Sequence, residues 1–209
     1  MQLQLKTWQF VEEYLKTKTG IIVPIGSTEQ HGPTGLIGTD ALTAEMIARG
    51  VGEKVGALVA PTISVGMAQH HLGFAGSVTL KPTTLIAVIR DQVISLARHG
   101  FTRFFFVNGH GGNIATVTAA FSEIYAERSM EKMSNQPSIK CALRNWWDSD
   151  GIRKLQKELF RKRLEEQINK VPEHVQNGSV QTTREWMKRR EAAVKVLKKP
   201  GSTVAQLMA

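Results

Sequence analysis

From residue 7 to residue 146 the chain alternates between segments with helical spacing of apolar residues and short β-branched runs, and this alternation constrains the fold most. Thr7 to Lys16 (TWQFVEEYLK) has its apolar residues at helical spacing. Gly20 interrupts it, and IIVPIG, from Ile21 to Gly26, reads as a strand buried on both faces. Thr39 to Val55 predicts a helix with Thr39 or Asp40 near its N-cap, and Ala57 to Ile63 a second strand. Lys81 to His99 is the strongest helical segment, with Pro82 near its start and Gly100 just past its end. Phe101 to Gly109 predicts a third strand, Asn113 to Arg128 another helix, and Ile139 to Trp146 a fourth strand. Strands separated by helices of this length make βαβ units, so the expected class is α/β, with a mostly parallel sheet covered on both faces.

Such sheets carry their sites at the carboxyl ends of the strands. Three Gly-rich polar loops fall there: Gly26 to Asp40, Ser64 to Ser77 and Asn108 to Asn113. Each contains histidine. The first, GSTEQHGPTGLIGTD, offers Glu29, His31 and Asp40, a carboxylate and imidazole set suited to Zn, Mn or Fe. By itself, a Glu-x-His pair fits a solvated carboxylate beside a hydrogen-bonding histidine equally well. The third loop, VNGHGGN, places His110 among glycines directly after a strand; alone it also fits a phosphate-binding helix N-terminus. All these donors at one end of one sheet favour a metal site.

The net charge of +9 is unevenly spread. Residues 1–150 carry 13 Lys and Arg against 12 Asp and Glu, and residues 151–209 carry 14 against 6. We therefore divide the chain into an α/β domain, 1–150, and a basic, mostly helical segment, 151–209. RKR at 161–163 and KRR at 188–190 read as solvated helix faces in preference to a nucleic-acid surface, since no RNA-recognition, zinc-finger or helix-turn-helix signature accompanies them. No apolar stretch approaches the roughly 20 residues of a membrane span, and the N-terminus lacks a signal-peptide core. With a single cysteine, Cys141, a cytoplasmic protein without membrane association is expected.

STEQHGP…GTDAL, HHLGFAGS and FVNGHGGN, in that order, resemble the signature segments of the creatininase (creatinine amidohydrolase) family, from about Thr7 to Trp147. The resemblance implies a three-layer α/β/α sandwich with a mainly parallel sheet, homo-oligomerisation, and metal-dependent hydrolysis of a non-peptide C–N bond in a small molecule, a cyclic amide or an N-formylamide. It implies Glu29, His31, Asp40 and His110 as metal ligands, with Asp40 bridging two divalent ions. It places His71 near the substrate as a proton shuttle or orienting group, and makes His70, Ser77, Gly111 and Trp147 candidate substrate contacts. Trp146 and Trp147 fit a core role equally well. Against the family pattern, Ala75 stands for a common proline and Ser77 for a common threonine.

A two-ion site of this type needs a fifth protein ligand. The creatinine-hydrolysing branch would have it at the position of Gly112, and other branches in a later segment resembling HAGE-x-ETS. Residues 151–209 contain no such segment; QNGSVQTT, with Ser179 at the ligand position, is a thin echo, and Glu173 with His174 reads as a solvated pair. The expectations that follow are a hydrolase, or a catalytically impaired relative serving as a binding or scaffold protein. The closing third of such an enzyme is expected to have been lost or replaced near Phe160.

Overall fold

The computed structural model describes residues 1–130 and 138–169, with the side chains of the last helix described as far as Arg163. The chain divides into two compact units, Met1–Ile152 and Arg153–Ala209.

In the first unit, four strands, β1 (Gly20–Ile25), β2 (Leu58–Val59), β3 (Arg103–Asn108) and β4 (Lys140–Asn145), form one sheet in the order β2-β1-β3-β4. Every pairing is parallel. The helices that connect them are α2 (Thr39–Val55), α3 (Pro82–Arg98) and α4 (Ile114–Met130), and α1 (Trp8–Leu15) precedes β1. Thr7 caps α1 by accepting the Phe10 N–H, and Pro82 opens α3 where a missing N–H costs nothing.

Alternation along β1 builds the layers. Ile21, Val23 and Ile25 pack with Leu85, Ile89 and Val93 of α3 and Val117, Ala120 and Ile124 of α4. Ile22 faces the other way, with Ala48 of α2, Val59 and Val107. One helix on one face and two on the other make the α/β/α sandwich. The chain moves from β1 to β2 on one side, then returns across β1 to β3 on the other. The carboxyl ends of β1 and β3 therefore flank the point where strand order reverses, the crevice where such folds bind ligands.

The second strand is shorter than predicted. Only Leu58 and Val59 are paired, and contact resumes at the isolated Ile25–Ile63 bridge. Between those points three steps along β1 are matched by four along the partner, and both segments contain a proline, Pro24 and Pro61, with no N–H to donate. Gly38 is the N-cap of α2 and makes no side-chain bond, and Thr39 and Asp40 stand in the first turn beside it, near the cap as expected. In the second unit the described residues belong to α5 (Asp150–Asn169), which exposes Leu155, Leu159 and Phe160. Among the described residues no helix is long and apolar enough to cross a membrane. Glu173, His174, Ser179 and the 188–190 cluster lie outside the described residues.

Candidate metal centre

Three loops that leave the carboxyl ends of the sheet are tied into one body. Thr28 and Val78 bridge the first loop to the second, and Thr28 Oγ1 donates to the Ser64 carbonyl. Asn113, fully buried at the start of α4, donates to the Gly26 carbonyl and accepts the Met67 N–H, so one side chain joins all three loops. Asn108, at the end of β3, donates to the His110 carbonyl and accepts the His110 N–H. Gly109 passes so close to the Asp40 carbonyl that a Cβ there would collide with it. That contact seats the first turn of α2 directly on the third loop.

Glu29, Asp40 and His110 are buried, 4%, 7% and 8% exposed, and His31 is half-buried. His31 Nδ1 faces the Glu29 carbonyl at 3.0 Å and its Nε2 faces Asp40 Oδ1 at 3.0 Å. His110 Nε2 faces the Met67 carbonyl at 2.9 Å, while its Nδ1 lies 2.9 Å from Asp40 Oδ2 and 3.3 Å from Glu29 Oε1. A carbonyl can only accept, so in each neutral ring the proton sits on the nitrogen facing the carbonyl. The other nitrogen then presents a lone pair to a carboxylate that also has only lone pairs. Asp40 Oδ2, accordingly, is a buried oxygen with no hydrogen-bond partner. Lone pairs converging in a buried space are stabilised by a cation, either a proton on the ring or a metal ion.

The ring pKa values respond to the same field. Burial by itself would lower both histidines, but the Glu29 carbonyl and the Asp40 and Glu29 carboxylates raise His31 above its ordinary value. Asp40, the Met67 carbonyl and Glu29 do the same for His110. One ligand atom each from Glu29, His31 and Asp40 lies within 4.8 Å of the others. Bonds of about 2.0–2.2 Å put two ligands of one ion at most about 4.4 Å apart, so adjustments of a few tenths of an ångström suffice. The donors fit a divalent ion. The backing hydrogen bonds, from His31 and His110 to carbonyls and from Ser27 Oγ to Glu29 Oε2 at 3.0 Å, are of the kind that orient metal ligands.

His71 stands beside this cluster, its Nε2 3.5 Å from Glu29 Oε1. Gln30 accepts the Gly32 N–H through Oε1 and so presents Nε2 to His71 Nδ1 at 3.0 Å. His71 Nδ1 is thereby the acceptor and Nε2–H points toward Glu29. His70 is exposed, its ring 4.0 Å from that of His71 and stacked 6.4 Å from that of His110. Ser77 Oγ accepts the Gln30 N–H at 3.3 Å, which makes it a clasp between loops. Gly111 is exposed next to His110. Trp147 is half-buried and edge-on to Trp146, with no hydrogen bond to the cluster; Trp146 packs on Ile22, Val59 and Val107. At Gly112 a Cβ would run into the His110 ring and approach the Met67 carbonyl to 2.8 Å, so no side chain reaches the donors from that position as the backbone stands. Ser27, Gln30, Asn108 and Asn113 were not singled out from the sequence; the one signal was a polar residue, Asn108, closing the apolar run FFFV.

The family model for creatininase, described as creatinine amidohydrolase, matches residues 4–168. The chain belongs to the creatininase family. That match continues past Trp147, where the motif resemblance stops, and takes in most of α5. The mycofactocin precursor peptide peptidase of Mycobacterium tuberculosis (strain CDC 1551 / Oshkosh) is 36% identical over 121 residues, 53% of this chain and 48% of that protein. The creatinine amidohydrolase of Pseudomonas putida is 30% identical over 133 residues, 61% of this chain and 50% of that protein. The chain spans about half the length of these curated relatives. A solved structure described as "Creatininase Mn" superposes with a TM-score of 0.67 at 26% identity, covering 74% of this chain and 62% of that one.

Proposed function

We propose that the chain is a divalent-metal-dependent hydrolase acting on a C–N bond of a small molecule, a cyclic amide or an N-formylamide. The observation that carries the reading is Asp40, whose two buried oxygens each face a histidine nitrogen, Oδ1 toward His31 and Oδ2 toward His110. Glu29, His31, Asp40 and His110 are the proposed ligands of Zn, Mn or Fe. A divalent ion held there would supply Lewis-acid chemistry, making water a nucleophile near neutral pH and polarising a carbonyl.

The remaining roles belong to the chain. Gln30 holds His71 with its proton on Nε2, the atom nearest Glu29, where it can be delivered to a departing nitrogen. His70 and Gly111, exposed around the cluster, are the proposed substrate contacts, with Trp147 at the outer edge and Ser77 acting through Gln30. Exposed apolar residues on α2, Leu42 and Met46, support a homo-oligomer, and the lone thiol supports a cytoplasmic location.

One observation favours a second reading, a metal-binding relative without turnover: position 112 is a glycine closed off by His110 and Met67. Hydrolysis of N-formylamides and cyclic amides by metal-stripped and Zn- or Mn-reloaded protein separates the two. The hydrolase reading expects activity that returns with metal and is lost in Asp40→Asn. Metal uptake without turnover on either substrate class supports the second reading.

A further inference from the structure

We infer that Thr79 is a positioning residue: through the Met67–Ala68 peptide it keeps a proton on His110 Nε2 and turns His110 Nδ1 toward Asp40 and Glu29. Its consequence for metal binding rests on the proposed role of His110 as a ligand, whereas its hold on the ring does not.

Thr79 lies just past the second loop and makes no hydrogen bond to Glu29, His31, Asp40 or His110. Its half-buried Oγ1 accepts the Ala68 N–H at 2.9 Å and shares its own proton between the Leu80 carbonyl at 3.1 Å and the Gly66 carbonyl at 3.3 Å. Ala68 is fully buried, so its N–H has no water to turn to if that acceptor is lost. The Ala68 N–H and the Met67 carbonyl belong to one planar peptide and point to opposite sides of it, so holding the first aims the second. Asn113 holds the preceding peptide, its Oδ1 accepting the Met67 N–H at 3.0 Å.

The carbonyl aimed in this way meets His110 Nε2 at 2.9 Å. Only a ring N–H can bond to it, whether or not Nδ1 also carries a proton. Nδ1 is thereby directed to Asp40 Oδ2 at 2.9 Å and Glu29 Oε1 at 3.3 Å. Gly112 leaves room for the bond, since a Cβ there would collide with the His110 ring and come within 2.8 Å of the Met67 carbonyl. Asn108 grips the N–H and carbonyl of His110 from β3. Backbone and ring are held from different loops, and the hold on the ring runs through Thr79.

The test follows exchange of the His110 Nε2 proton with water by NMR, in metal-free and zinc-loaded protein, with the His31 ring as internal reference. Zinc should shift Nδ1 of His110 and leave the proton on Nε2. Thr79→Val, similar in shape and without the acceptor, should speed that exchange about three- to tenfold and raise the zinc dissociation constant about tenfold, with the His31 signals unchanged. Thr79→Ala, a second variant without the acceptor, should behave alike, and Thr79→Ser, which retains it, should match the parent. Circular dichroism verifies each fold. Parent-like exchange and affinity in Thr79→Val, or zinc bound through Nε2, would overturn the inference and leave the metal-centre reading standing. Zinc that shifts neither nitrogen of His110 would remove His110 from the proposed ligands and overturn the part of Thr79 in metal binding.

Discussion

At the residue scale the site depends on groups that touch no substrate. Ser27 is fully buried and its single polar contact in the site is Glu29 Oε2. Ser27→Ala removes that bond and leaves a carboxylate oxygen buried without a donor, a loss of about 1–3 kcal/mol. The expected result is a lower melting temperature for the metal-free protein together with weaker zinc binding, read by calorimetry and calorimetric titration. Cys141 gives a prediction of different kind. Burial raises its thiol to about 11, against which a hydrogen bond with Tyr125 acts weakly. The folded protein thus holds the thiol proton more tightly than the unfolded chain does. The thiol's contribution to stability is complete below pH 9 and declines as pH rises through 9 to 11. Iodoacetamide at pH 8 should label Cys141 far more slowly in native than in urea-unfolded protein, followed by mass spectrometry.

At the element scale the layers were largely legible, because each depends on a local period. Lys81 to His99 announced α3 through apolar spacing, Pro82 and Gly100, and the structure has Pro82–Arg98. Its buried face, Leu85, Ile89 and Val93, is fully covered by the sheet and α4. Leu85→Ala should cost about 2–5 kcal/mol, measured by urea unfolding. The second strand was misjudged because its length is not a local property: Pro24 and Pro61 interrupt the ladder together, and neither reveals that in its own segment. Of the site, the donor types in the three loops were legible and the wiring was not. His110 is oriented by the Met67 carbonyl and Asn113 reaches back to Gly26, contacts between residues far apart in the chain that no motif records. Asp40 lies beside the cap of α2, as its position predicts, and what the sequence does not reveal is that its carboxylate meets two histidines.

At the scale of the whole molecule, the strand order β2-β1-β3-β4 explains why the donors meet. Glu29, His31 and Asp40 follow β1, and His110 follows β3, the two strands that flank the reversal. A ligand that bridges elements so distant in sequence stabilises the folded unit as a whole. Zinc at a hundred times its dissociation constant should add about 2.7 kcal/mol, which for a unit of this size is roughly 5 to 10 °C in melting temperature. Asp40→Asn should abolish that increment, as seen by differential scanning calorimetry. The most direct measurement is an anomalous-difference map from crystals grown with zinc and recorded on both sides of the zinc edge. The account predicts a strong peak about 2.0–2.2 Å from Asp40, Glu29 and a ring nitrogen of His31 or His110. A map with no peak there, or with its main peak elsewhere, would contradict it.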